Sequence, residues 1–344
     1  MPEQQDDTRA AEGVPRSRRV GSYVFCEHFP EEILRGALSY RHRPGEVYIV
    51  TYPKCGTTWM QHILYHVYSL GQPPPSIKHF FESMPFLERH GVEAVSALTF
   101  PGSAIKTHML YDQERICPDA KYIYVVRNPF DCCVSFYHHY KLFPIYHFEQ
   151  GTFDEFLDLF LEAAVDGGDY FDHLLSWYPH RNDPNVLFVR YEDLKADTET
   201  WVLAVADFLG PKYGDALRRD RQALDKVLRA ASVEGVRQLS RLEREYQAEL
   251  MANTPRDRLP RWAQLYLVHS GHRATAKPSE GATMIRKGQV GDWKTHFTAH
   301  QVLKMREKAA QKCKVLDLLS LWEDCLKLRS KKGRELLGNA DKSI

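Results

Sequence analysis

The sequence is short of several things, and each absence narrows its function. Its charges nearly cancel: 46 basic against 45 acidic side chains leave +1 over 344 residues. No global field therefore favours nucleic acid or an anionic membrane as partner, and any basic site must be local. No apolar run approaches the ~18–20 residues that cross a bilayer. The stretch from Met1 to Arg19 is polar, ends in a basic cluster at Arg16, Arg18 and Arg19, and lacks the apolar core of a secretory signal. Cysteines number seven, an odd count without a C-x-x-C pair, so neither a disulfide framework nor a zinc site is suggested. No internal repeat or domain linker stands out. A soluble chain in a reducing, cytoplasmic setting is expected, without metal.

What is there is a core. Apolar residues make up 43% of the chain, enough for one large domain. Val47 to Val50 reads as a buried strand, followed by helical periodicity from Thr57 to Leu70. Ala104-Ile105-Lys106 ends a second strand, Lys121 to Val126 forms a third, and a helix is expected after Pro129. Phe153 to Val165 and Tyr170 to Tyr178 look helical, Asn185 to Val189 is a fourth strand, and Thr198 to Leu209 another helix. This alternation predicts an α/β fold with a mostly parallel central sheet flanked by helices, binding ligand at the strand tips. The domain is expected over residues 21–328, between a disordered tail at 1–20 and a charged tail at 329–344. Between residues 237 and 277 the text changes to a charged helix bounded by loop signals.

The strongest local signal runs from Thr51 to Trp59, between a strand and a helix. Gly56 allows close backbone approach, the helix offers free N–H groups, and Lys54, Thr57 and Thr58 add a cation and two hydroxyls. An ordinary strand–turn–helix junction with capping threonines would read the same way. The order is not that of a Walker A loop, whose lysine follows its second glycine. A second junction, Arg127-Asn128-Pro129-Phe130-Asp131 to Ser135, sets an arginine at a strand tip and a serine two turns into a helix. A guanidinium there suits a phosphate, or pairs with Asp131.

Tyr-Pro-Lys-x-Gly-Thr-Thr-Trp at 52–59 resembles the 5′-phosphosulfate loop of the cytosolic sulfotransferases, a P-loop-kinase-like turn. R-N-P-x-D-x-x-x-S at 127–135 resembles their 3′-phosphate motif, and Arg286-Lys287-Gly288-Gln289-Val290-Gly291-Asp292-Trp293-Lys294 their closing loop. The resemblance runs from about Tyr23 to Leu328. It implies transfer of a sulfuryl group from 3′-phosphoadenosine-5′-phosphosulfate (PAPS) to a small acceptor, with PAP as product. Cofactor contacts are implied at Lys54, Cys55, Gly56, Thr57, Thr58, Trp59, Arg127, Ser135, Tyr191, Ser232, Arg286, Lys287 and Gly288. Tyr191 comes from the match of Tyr191-Glu192-Asp193-Leu194 to the family's Y-E-D segment, where Asp193 is expected to cap the next turn. A thiol at a helix N-terminus can have a lowered pKa, which would make Cys55 oxidation-sensitive.

Lys106-Thr107-His108 matches the family's base segment. His108 is then the base that deprotonates a hydroxyl or amine for in-line displacement at sulfur, with Lys54 stabilising the departing phosphate oxygen and Lys106 second to it. Phe29, Phe81, Phe86, Tyr137 and His139 fall near positions that line the acceptor cavity in relatives. They favour a small aromatic acceptor over a polysaccharide. Three departures stand out. Ala231-Ser232-Val233 replaces T-S-F, so no ring stacks on adenine from Val233. The interval from Ser232 to Arg286 is longer than usual. The family's dimer signature reads Lys294, Thr298, Ala299 and Leu303, lacking its valine and glutamate, which leaves monomer or dimer open. Two other readings are a non-catalytic PAPS- or PAP-binding protein and a nucleotide kinase.

Overall fold

A computed structural model describes residue 15 and residues 17–21, 23–270, 285–312 and 318–326. The chain opens on a two-stranded antiparallel hairpin, β1 (Ser17–Val20) and β2 (Tyr23–Cys26). The expected tail therefore stops short of Ser17, because Val20 is buried against the core. The expected tail at 329–344 lies outside the described residues. Helix α1 (Glu31–Ser39) leads to β3 (Val47–Thr51), and α2 (Thr57–Tyr68), α3 (Ile77–Ser83) and α4 (Leu87–Ser96) precede β4 (Ile105–Thr107). Strand β5 (Lys121–Val126), helices α5 (Pro129–Leu142), α6 (Phe153–Leu161) and α7 (Tyr170–Trp177), and strand β6 (Val186–Arg190) follow.

The four strands pair in parallel in the order β4-β3-β5-β6. Their side chains alternate between two cores, as a sheet covered on both faces requires. Tyr48, Val50, Tyr122, Tyr124 and Val126 face one core with Phe130, Phe136, Leu174 and Trp177. Val47, Ile49, Ile123, Val125 and Val189 face the other, against Met60, Ile63, Leu64 and Val67 of α2. From β3 the chain goes to one neighbour, β4, and from β5 to the opposite edge, β6. The switch point thus lies between β3 and β5, outside their carboxyl ends, where open sheets of this kind bind ligands.

After β6 come α8 (Tyr191–Ala196), α9 (Thr198–Leu209), α10 (Pro211–Arg219) and α11 (Arg221–Ala230). Asp193 does not cap the next helix: it lies inside α8, 3.3 Å from the Arg190 guanidinium. Asp197 caps α9 instead, accepting from the Thr200 N–H. The described part of the long interval is largely helical. α12 spans Val233–Asn253, and α13 spans Arg261–Ser270. They bury Leu259, Trp262 and Ala263 with Ile33 and Phe81 in a third, smaller core. Helices α14 (Ala299–Lys312) and α15 (Glu323–Leu326) complete the described fold. Among the described residues no helix is long and apolar enough to cross a membrane.

Candidate active site

At the switch point a cavity of about 730 Å³ opens between the strand tips, the loop at 285–292, and helices α12 and α13. Its donor end is built on the turn after β3. Lys54 has φ 70° and Gly56 φ 112°, both in the left-handed region that a non-glycine residue enters only at a cost. That kink turns the Lys54 side chain inward and starts α2 beneath it. A Cβ at position 56 would stand 3.0 Å from the Tyr191 ring, so only glycine lets this turn close under Tyr191. Thr57 and Thr51 share a hydroxyl contact of 2.6 Å. The Trp59 indole donates to the Ala231 carbonyl at 2.7 Å and meets Tyr191 edge-on.

Arg127, at the tip of β5, reaches across this turn. Its guanidinium lies over the Tyr191 ring at 4.4 Å and donates to the carbonyls of Lys54 and Gln289, each at 3.3 Å. Its Nε is buried with no partner. Asp131 does not pair with it. That carboxylate instead accepts from the Gly291 N–H at 2.7 Å and the Trp293 N–H at 2.9 Å, pinning the loop at 285–292 to α5. On this loop Asp292 accepts from Arg286 and, at 2.5 Å, from Lys287. Those two cations hold its carboxyl below the usual range against the opposing pull of burial.

Lys54 lies deepest. Burial, together with the Arg127 and Lys106 charges, pushes its ammonium down to about 8. It donates to His139 Nδ1 at 3.2 Å, which leaves His139 Nε2 to donate to the Tyr146 hydroxyl at 3.3 Å. Tyr146 donates in turn to Asp166 at 2.8 Å. Beside this chain, His108 Nδ1 lies 2.7 Å from the Thr51 carbonyl. A carbonyl only accepts, so Nδ1 carries the proton and Nε2 the lone pair. Burial and the Lys106 charge push His108 down to about 3, so its ring is neutral across the physiological range. The backbone N–H of His108 and the Thr107 hydroxyl both donate to Glu88, a fully buried carboxyl that burial raises to about 7. Lys106 lies over the Phe86 ring at 4.8 Å, and that ring meets His108 edge-on.

Residues 44–258 match the family model of the sulfotransferase domain. The chain belongs to the sulfotransferase family. It is 29% identical to the amine sulfotransferase of Oryctolagus cuniculus, over 85% of this chain and 88% of the relative. It is 30% identical to sulfotransferase 1E1 of Cavia porcellus, over 80% and 88% respectively. The crystal structure of mouse sulfotransferase SULT7A1 complexed with PAP matches 95% of this chain and 99% of that one, at 26% identity and a TM-score of 0.58. This sulfotransferase is thus an enzyme that draws its sulfuryl group from PAPS.

The structure brings most of the expected residues to one cavity. Lys54, Gly56, Thr57, Thr58, Trp59, Lys106, His108, Arg127, Ser135, Tyr191, Arg286, Lys287 and Gly288 line it, as do Phe29, Phe86 and His139. Four others it does not. The Cys55 thiol is buried against Cys132 Sγ at 3.7 Å and its N–H is bonded to the Tyr52 carbonyl. Burial raises that thiol well above its ordinary value, opposite to the lowering expected at a helix N-terminus. The Ser232 hydroxyl caps α12 by accepting from the Gly235 N–H. Phe81 packs in the third core, and Tyr137 lies against Phe153 with its hydroxyl on the Gly151 carbonyl. Val233, Arg89, Tyr146, Glu243 and Tyr266 also line the cavity. Of these only Val233 drew attention in the sequence, and as a loss.

Proposed function

We propose that the sulfotransferase moves the sulfuryl group of PAPS to a hydroxyl or amine of a small aromatic acceptor by in-line displacement. One observation carries this reading: the lone pair of a neutral, tautomer-locked His108 shares a cavity with the buried ammonium groups of Lys54 and Lys106. His108 Nε2 takes the proton as the acceptor heteroatom bonds to sulfur, while the bond from sulfur to the bridging phosphate oxygen breaks. Lys54 stabilises the charge that grows on that oxygen, and Lys106 the sulfuryl oxygens. Preorganised cations do this with little rearrangement.

The remaining residues fit the rest of the donor. The unpartnered Nε of Arg127 and the cradle under Tyr191 at Gly56 suit phosphate oxygens. Ser135, Arg286 and Lys287 would hold the 3′-phosphate, and Trp59 with Tyr191 would flank the base. Val233 packs beside Gly288 and contributes no aromatic face, so adenine is held by the Trp59 side alone. The test is sulfuryl transfer from PAPS to a panel of phenols and amines, beside calorimetric binding of PAP. His108→Ala should bind PAP as the parent does and lose transfer by about 10²-fold or more. Full activity in that variant would remove the histidine from the mechanism.

A further inference from the structure

Beyond Lys106 the cavity continues into an aromatic end with one feature the transfer chemistry does not use. Phe29 and Phe86 meet edge-on there at 5.9 Å, with Tyr146, Tyr266 and His28 around them. Into this apolar wall α4 projects Arg89. Its guanidinium lies 4.8 Å from the Tyr266 ring centre and 5.8 Å from that of Trp262, both on α13. Its Nε is buried and unpaired, and among the described residues the guanidinium has no hydrogen-bond or ion-pair partner. Its charge is felt on every side: it helps hold His28, His90 and Lys106 below their ordinary values. A guanidinium held over aromatic rings and without hydrogen-bond partners has N–H donors left to take a carboxylate bidentately.

We infer that Arg89 binds an anionic group on the acceptor, so that the preferred acceptor is an aromatic hydroxy acid whose carboxylate sits on Arg89 while its hydroxyl faces His108. The inference rests on the transfer reading above. Glu243, on α12, is the competing feature, since a carboxylate in the same wall would suit an ammonium. Two observations decide the sign. The single Glu243 carboxylate is outnumbered by three cations whose charges act on it, Lys106, Arg89 and Arg244, and a guanidinium stays charged at any physiological pH. Arg89 and Lys106 also surround Glu243 with like positive charge that an ammonium would have to approach. Glu243 and the Gln247 amide, 3.5 Å apart, then form a polar rim and not a cation seat.

The experiment uses three phenols of matched size, ending in a carboxylate, a methyl or an ammonium group. Their binding to the PAP-loaded enzyme is measured by calorimetry at pH 7, in the parent, Arg89→Gln and Arg89→Lys. The carboxylate phenol should bind the parent about tenfold or more tightly than the methyl one, a gap that shrinks severalfold in Arg89→Gln and partly returns in Arg89→Lys. Unchanged PAP affinity in both variants certifies their fold. Equal binding of the acid and the methyl phenol, a gap that survives Arg89→Gln, or preference for the ammonium phenol overturns the inference. Turnover reads separately: transfer to the methyl phenol without any preference for the acid leaves the sulfotransferase reading standing and removes only the role of Arg89.

Discussion

Lys54 and His108 titrate in ways that a shared cavity imposes on both. The Lys54 cation is lost as pH rises through about 8, so kcat/KM for PAPS should fall along an alkaline limb near that pH. Bound donor stabilises the charged form and moves the limb in kcat higher. Lys54→Arg should abolish the limb, because a guanidinium does not deprotonate there; a limb that persists belongs to another group. His108 is already neutral above about 3 and should add no acid limb near ~6.5, where a free imidazole titrates. Glu88 behaves oppositely. Burial raises it from 4.5 to about 7, so the folded state binds its proton more readily than the unfolded chain. Its stabilising share is complete below about 4.5 and is lost as pH rises through about 7, at a cost of roughly 3 kcal/mol. Glu88→Gln keeps the acceptor for Thr107 and His108, and its melting temperature should vary less than the parent's between those pH values.

Elements matter most where one side chain fastens two of them. Asp131 receives two backbone N–H groups of the closing loop from its place on α5. Charge-assisted bonds of this kind are worth about 1.5–3 kcal/mol each. Asp131→Ala should therefore weaken PAP binding by roughly tenfold or more, with far-ultraviolet circular dichroism unchanged; unaltered affinity would show that the loop closes without the anchor. This is also the scale at which the sequence was most readable. Strand–turn–helix junctions are local, so Lys54 to Trp59 and Arg127 to Ser135 carried their chemistry in residue order. Helix α9 ran over the expected residues, from Thr198 to Leu209, because its cap and its Gly210-Pro211 stop are local as well. Cys55 misled because position in a loop says nothing about which way a side chain points. Arg89 was invisible for the opposite reason: its partners, Trp262 and Tyr266, lie on a helix distant in sequence.

Over the whole molecule, α12 joins the two ends of the reaction. Arg237 on this helix donates to the carbonyls of Ile285, at 2.9 Å, and Arg286, at 2.6 Å. Farther along, the same helix gives Glu243, Gln247 and Met251 to the acceptor wall. On the proposed reading, this helix would couple the closing loop to the acceptor end. Arg237→Gln should raise the PAP dissociation constant and the acceptor KM together, severalfold each. A variant that moved only one of them would show the two ends to be independent.

The closing loop also carries its own rival for the donor. Arg286 and Lys287 are both engaged by Asp292, a tethered carboxylate present at high effective concentration. On the proposed reading, a phosphate bound by these two cations would have to win an exchange, and a doubly charged group would gain more from them than a chloride or a bicarbonate. The expected consequence is a discrimination by valence, and a dependence of PAP affinity on ionic strength shallower than two free cations would give.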